Sequence, residues 1–391
     1  MNICEYTECT GCGMCVNCCS VNAIQMKKDK YGFYYPEIDN KKCINCGMCI
    51  KKCPSNNSDI KGNEQIEFYS AWNKNKTKRK KSTSGGIFGL LAENILLHGG
   101  LVSGVAWDEH FHAEHILISS IDELHKLNGS KYVQSHTNDI YKKIKEALQN
   151  DKVVLFSGTP CQNHALKSYL GQDYKRLYMI DLVCHGVPSE DVFERYLNER
   201  SNNGNKKIKK IRLRHKKPYW DWCYVTIDFK NSKQYSELTV DDSYFTLFNV
   251  GYSLRKSCSK CKYTNLKRFG DITLGDFWGF TANNFKQRNY LMGVSLVLVN
   301  TSKGKQLFRY ISDDIVYDEA SKEMALKSNK SLYEPFFISE DKTDSFWKDY
   351  ENGMSIDALR DRYTGKPFTL PKLLWLRRLK YKYWWLVKRA K

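Results

Sequence analysis

With 391 residues, 41% of them hydrophobic and 13% aromatic, the chain has room for two or three domains and enough apolar mass to bury a large core. Its formal charge of +19 sits mainly in three acid-free basic runs, 74–81, 206–217 and 369–391, which leaves the rest near neutral. No stacking module or helix-turn-helix pattern accompanies these runs, so nucleic-acid binding is not expected, and the first two read as solvated faces or as docking surfaces for an acidic protein or anionic cofactor. Fifteen cysteines are too few for a disulfide scaffold of this length, and their gathering in metal-type loops points to a reducing compartment, the cytoplasm. The opening Met1-Asn2-Ile3-Cys4-Glu5 has neither the basic start nor the apolar run of a signal peptide. No stretch reaches the ~18 uninterrupted apolar residues of a membrane span.

The first expected element is a small unit over residues 1–60, marked by two cysteine runs offset by 34 residues. They are Cys9-x-x-Cys12-x-x-Cys15-x-x-x-Cys19 and Cys43-x-x-Cys46-x-x-Cys49-x-x-x-Cys53-Pro54. Three thiolates on one tight loop can cap three irons of a cubane, while the fourth cysteine crosses to the other cluster. Cys9, Cys12, Cys15 and Cys53 would therefore hold one [4Fe-4S] cluster, and Cys43, Cys46, Cys49 and Cys19 a second. Zinc would instead call for four thiolates in two pairs. The unit resembles a bacterial two-cluster ferredoxin domain, with two departures: Ser20 follows Cys19 where proline is usual, and Cys18 adds a spare thiol.

A polar linker near residue 62 opens a second domain, expected over 65–340. It begins with a strand at 66–72, followed by Ser82-Thr83-Ser84-Gly85-Gly86 leading into a buried helix of Ile87, Phe88, Leu90, Leu91, Ile95 and Leu96. The free N–H groups and dipole of such a helix start suit a phosphate, and ordinary N-capping is the plainer alternative. Strands at 100–107 and 115–118 lead to a polar loop, Leu127 to Ser135, whose Lys131 faces either a cofactor anion or solvent. Two strand-turn-helix units then place Cys161 and Cys184 beyond the carboxyl ends of adjacent parallel strands, where ligands of α/β sheets collect. With Cys258 and Cys261 of a Cys-x-x-Cys pair, they would complete a third [4Fe-4S] cluster, with Cys223 a possible substitute. A zinc site, a redox-active pair or no metal are the competing readings.

Taken together, Ser82 to Gly86, Gly158-Thr159-Pro160-Cys161-Gln162, Cys184-His185-Gly186 and Gly270-Asp271 to Trp278-Gly279 resemble the beta subunit of coenzyme F-420 hydrogenase and dehydrogenase, in the same order along roughly residues 65–340. That family also contains a chlorophyll-cycle reductase and the electron-input half of a sulfite reductase. The resemblance implies FAD as well as iron–sulfur clusters, with Ser82, Thr83, Ser84, Gly85, Gly86, Asn128, Gly129, Ser130, Lys131, Tyr132 and Gln134 contributing to the flavin site. It also implies a soluble electron donor or acceptor protein and a small organic substrate. Bacterial relatives of this layout occur in surface-polysaccharide settings, which points to a sugar or polysaccharide intermediate as acceptor. The expected function is a FAD-dependent iron–sulfur oxidoreductase, with an electron-relay subunit lacking its own substrate site as the alternative. His185 is a candidate proton donor or a structural histidine.

The last expected element is a helical, basic, aromatic tail over 341–391. Wound as a helix, 369–391 gathers Trp375, Leu376, Leu379, Tyr383, Leu386 and Val387 on one face. That composition suits either peripheral contact with the inner face of a membrane or docking on the protein's own core. The fold class expected is therefore α+β and α/β: a ferredoxin domain, a larger flavin-binding α/β domain with a parallel or mixed sheet, and an amphipathic tail.

Overall fold

The structure, a computed structural model, describes residues 2–57, 65–217, 219–280, 290–327, 329–337 and 339–366. The ferredoxin unit alternates two short helices with a hairpin: α1 (Met14–Cys18), β1 (Ile24–Lys28), β2 (Tyr34–Ile38) and α2 (Met48–Lys51). Ile24 pairs with Ile38 in the antiparallel hairpin. Next come β3 (Glu67–Asn73), α3 (Lys76–Lys81), α4 (Ile87–Leu97), β4 (Leu101–Trp107), β5 (Ala113–Ile118), α5 (Leu124–Leu127), β6 (Ser135–His136) and α6 (Ile140–Gln149). The two strand-turn-helix units are β7 (Val154–Gly158) with α7 (Pro160–Leu170) and β8 (Leu177–Leu182) with α8 (Glu190–Arg200). The rest is β9 (Ile208–His215), β10 (Tyr224–Phe229), β11 (Gln234–Leu238), α9 (Ser243–Val250), α10 (Lys256–Ser259), β12 (Ile272–Asp276), β13 (Ser295–Val299), α11 (Ser302–Arg309), β14 (Ile315–Glu319), α12 (Lys322–Lys327), α13 (Glu340–Glu351) and α14 (Ile356–Thr364).

Nine strands form one mixed sheet in the order β14-β3-β13-β12-β8-β7-β4-β5-β6. Its centre is parallel, β12 with β8, β8 with β7 and β7 with β4, so the carboxyl ends of β7, β8 and β12 lie along one edge. Successive strand residues point to opposite faces. Leu155 thus joins the core made with α4 and α11, while Val154 and Phe156 join the core made with α6 and α7. The ferredoxin unit belongs to that second core, because Met14, Cys15, Ile24, Cys49 and Cys53 pack with Ile140, Tyr141, Ala165 and Leu166.

A separate three-stranded antiparallel sheet, β11-β10-β9, builds its own core with α8 and α9. Phe346, Trp347 and Tyr350 of α13 and Ile356 and Leu359 of α14 are part of this core. Residues 341–364, assigned from sequence to a tail, are thus held in the body by apolar burial. The amphipathic segment 369–391 lies outside the described residues. Among the described residues, no helix is long and apolar enough to cross a membrane.

Candidate functional site

Positive φ angles at Gly11, Gly13 and Gly47, of 67°, 71° and 69°, turn the two cysteine loops back on their own sulfurs just ahead of α1 and α2. Side chains rarely adopt that conformation. The first loop and the crossing cysteine meet around one pocket lined by Cys9, Cys12, Cys15 and Cys53. Cys15 feels the charges of Cys12, Cys9 and Cys53, and burial pushes its thiol far up, while Cys12 is pushed up to about 12. Thiols so placed ionise readily only when a metal replaces the proton. One sulfur there was not foreseen: Cys4 lies beside Cys53 and Cys9 and lines the same pocket.

In the second loop, Cys46 and Cys43 are the charges acting on Cys49, which burial pushes up. Cys18 lies beside Cys49 and Cys19, and the Cys19 sulfur accepts the Ala23 N–H at 3.2 Å. The first-run sulfur set against Cys49 is therefore that of Cys18, with Cys19, the expected crossing ligand, next to it in the chain. Cys46 is exposed and Cys43 half-buried, so this is the outer of the two sets.

The third set gathers from three separated segments. Cys184 feels Cys258, Cys161 and Cys261, Cys258 feels Cys261 and Cys161, and Cys261 feels Cys161. Each sulfur comes with donors: the Thr159 hydroxyl lies 3.1 Å from Cys161, and the Val187 N–H points at Cys258 from 3.4 Å. Backbone N–H groups of Gly186 serve Cys184, and those of Tyr263 and Thr264 serve Cys261. Such N–H···S bonds are what cluster sulfurs use to spread their charge. Cys161 is held at the start of α7 by a capping box between Thr159 and Gln162. Cys223 sits elsewhere, with Arg214 Nε at 3.5 Å and Thr239 Oγ1 at 3.6 Å from its sulfur.

The first and third sets are adjacent, since Cys12 feels Cys161. Two buried tyrosines flank them: Tyr141 feels Cys12 and Cys161 and donates to the Cys12 carbonyl at 3.0 Å, and Tyr263 feels Cys161, Cys12 and Cys261. Among the described residues, no group of three or more His, Cys, Asp or Glu closes up as a site for a metal ion.

The two segments expected to serve a flavin meet, because the Ser130 N–H donates to Thr83 Oγ1 at 3.0 Å. Gly86 takes the left-handed conformation at φ 87° that starts α4. Gly85 is required by the protein itself, since a Cβ there would lie 2.4 Å from the Ala71 carbonyl oxygen. Gly129 differs: its φ is 82°, and nothing lies within 4 Å of a Cβ built on it, so backbone is open to an approaching group. The hydroxyls of Ser82 and Ser84 donate to protein carbonyls, Arg79 and Ser84 for the first and Val294 for the second.

Beneath the turn lies a cationic bed that sequence reading missed. Lys216 Nζ donates to the carbonyls of Arg79 and Met292, each at 2.8 Å, and to that of Ser84, with the Ser82 hydroxyl at 3.4 Å. Arg79 Nε donates to the Gly293 carbonyl at 2.9 Å. Burial pushes Lys216 down to about 7 and Arg79 down to about 9. Among the described residues Lys131 reaches the carbonyls of Lys126 and Asn128, and burial pushes it down to about 7. Buried amino groups that a neighbouring anion would hold in the charged form, beside an open backbone, suit a bound phosphate.

The remainder of that loop serves other neighbours. Tyr132 packs on the rings of Phe245 and Phe248, and its carbonyl accepts the Tyr244 hydroxyl. Gln134 donates to the Gly11 carbonyl at 3.1 Å and accepts from Arg255 at 3.2 Å, so it is engaged by the ferredoxin loop. His185 lies between the rings of Phe248 and Phe336, and among the described residues its Nε2 has no hydrogen-bond partner. Burial lowers its pKa.

Paired ferredoxin-type sulfur sets on a mixed α/β body define an iron–sulfur electron-transfer protein. Residues 8–57 match a 4Fe-4S dicluster domain, 68–142 the N-terminal part of the coenzyme F420 hydrogenase/dehydrogenase beta subunit, and 151–324 its C-terminal part. The chain belongs to that beta-subunit family. A chain of the F420-reducing [NiFe] hydrogenase complex from Methanosarcina barkeri is similar at 15% identity with a TM-score of 0.46, over 76% of this chain and 95% of that one. No curated protein matches the sequence.

Proposed function

We propose that this chain is an iron–sulfur flavoprotein oxidoreductase that carries electrons from a ferredoxin-like donor protein through three [4Fe-4S] clusters to FAD and on to a small organic acceptor. The observation that carries this reading is the meeting of Cys161, Cys184, Cys258 and Cys261 beside Cys12. The ferredoxin unit alone would end in a two-cluster relay, and a further sulfur set in the body gives its electrons somewhere to go. The clusters would supply one-electron carriage, and the flavin the two-electron step that an organic acceptor needs.

The residues divide the work accordingly. Cys9, Cys12, Cys15 and Cys53 would hold the inner ferredoxin cluster, and Cys43, Cys46, Cys49 and Cys19 the outer one. The exposed Cys46 marks the side of entry. The Ser82 to Gly86 turn, Asn128, Gly129, Ser130 and Lys131 would receive the phosphates of FAD over the buried Lys216 and Arg79, whose charged forms the phosphates would favour. Tyr132 and Gln134 would support that loop from behind. His185, next to a cluster ligand, is the proposed proton donor. Assignment of a sugar or polysaccharide intermediate as the acceptor rests on the family resemblance alone.

Anaerobic purification with iron, sulfide and flavin assays tests the reading. About twelve irons and one flavin per chain are expected. Iron near eight with no flavin would reduce the protein to a relay, the reading that turnover of an organic acceptor by the isolated chain would exclude.

A further inference from the structure

Arg255 belongs to none of the motifs above, yet it is fully buried, 0% exposed, where the ferredoxin unit meets the body. Its guanidinium spans the two: Nη1 donates to the Cys9 carbonyl at 3.0 Å, and Nη2 to the Tyr34 carbonyl at 2.6 Å and to Gln134 at 3.2 Å. The Tyr35 and Phe33 rings lie 4.4 and 5.3 Å from it. Nε is buried with no hydrogen-bond partner, and among the described residues no carboxylate pairs with the group. A buried cation left without an anion is costly, and these neighbours supply only dipoles and ring faces. The anionic chemistry within its reach is sulfur. Its charge acts on Cys9 of the inner ferredoxin set and on Cys161 and Cys258 of the body set.

Resting on the three-cluster reading, we propose that Arg255 is a positioning residue for electron passage, a fixed positive charge shared by the inner ferredoxin cluster and the body cluster. Reduction adds one electron to a cluster and makes it one charge more negative. A fixed cation in a low-dielectric interior stabilises the reduced form more than the oxidised form, which raises the reduction potential. Arg255 is absent from the leading charges on the outer set, where Cys46 and Cys43 act on Cys49 and Lys52 acts on Cys18. Arg255 therefore biases an electron entering at the outer cluster toward the inner pair.

The test is a redox titration of the full chain followed by electron paramagnetic resonance, comparing wild type, Arg255→Gln, Arg255→Lys and Gln134→Glu. Arg255→Gln is expected to move two of three cluster potentials to more negative values and leave the third in place, with Arg255→Lys close to wild type. Gln134→Glu keeps the guanidinium but faces it with a carboxylate, and it should move the same two potentials in the same direction. This second variant decides the matter if Arg255→Gln loses its iron. Unchanged potentials in Gln134→Glu, or an equal shift of all three clusters, would overturn the proposal. Wild-type iron near eight per chain overturns instead the reading on which it rests, together with the body half of the shared charge.

Discussion

Cys184, half-buried, and Cys223, buried, are both thiols in the body of the protein, and their surroundings give them opposite standing. Cys184 feels three other sulfurs, whereas Cys223 has Arg214 and Thr239 at its sulfur. Cys184→Ala is therefore expected to lower bound iron from about twelve to about eight per chain, and Cys223→Ala to leave it unchanged, as read by colorimetric iron assay. The 4Fe-4S dicluster domain was legible in the sequence because a cubane loop is local, and its spacing is the geometry. The body set was legible only as a coincidence of strand ends, since three distant segments must be folded together before the sulfurs meet. Arg255 and Cys4 carried no signal beyond standing near cysteines. Gln134 shows the limit of reading a loop as one unit: residues five apart on it face different partners.

Two features at the scale of the elements hold the body set in place. The first is a buried latch between β8 and the segment before β12: Asp181 accepts from Arg268 Nη2 at 2.8 Å and from the Gly270 N–H at 3.0 Å, with both side chains of the ion pair buried. It ties the strand that leads to Cys184 to the segment that follows Cys261. Removing one partner of such a pair leaves an uncompensated buried charge, so Asp181→Ala is expected to cost about 3–5 kcal/mol in urea unfolding. A loss below about 1 kcal/mol would contradict the latch. The second is α13, whose Phe346 is 0% exposed in the core around β9 and β10. Phe346→Ala should cost about 3–5 kcal/mol, where a detached tail would cost almost nothing. The sequence showed α4, α7 and β7 by their periodicity and caps. It did not show where α13 docks, because an amphipathic helix declares that it needs a partner and not which one.

For the whole molecule, the question is how the ferredoxin unit stays docked. Lys28 of β1 lies 3.0, 2.9 and 2.7 Å from Glu190, Asp191 and Glu194 of α8, and His136 holds the other Glu190 oxygen at 2.7 Å. Burial pushes Glu190 up, but His136, Tyr34 and Lys28 outweigh it and hold the carboxyl down to about 2, against an ordinary value of 4.5. A carboxyl lowered on folding stabilises the protein above its unfolded pKa and loses that contribution as pH falls through the folded one. The contribution is about 3 kcal/mol at neutral pH, disappearing between about pH 4.5 and pH 2. Glu190→Gln should accordingly destabilise the chain at pH 7 and much less at pH 3, with equal losses at both counting against this role.

The sequence by itself determined the chemistry available: cysteine loops at cubane spacing, a glycine-rich helix start and alternating strands and helices. These are short-range facts, written in spacings of a few residues. Only the tertiary structure decided which groups share a space. It set Cys12 beside Cys161, Arg255 among sulfurs of two units, Lys216 beneath the turn and α13 in the core. Burial turns each of those encounters into energy, because charges and sulfurs interact strongly only where water is excluded, and no local pattern records which distant segments will exclude it together.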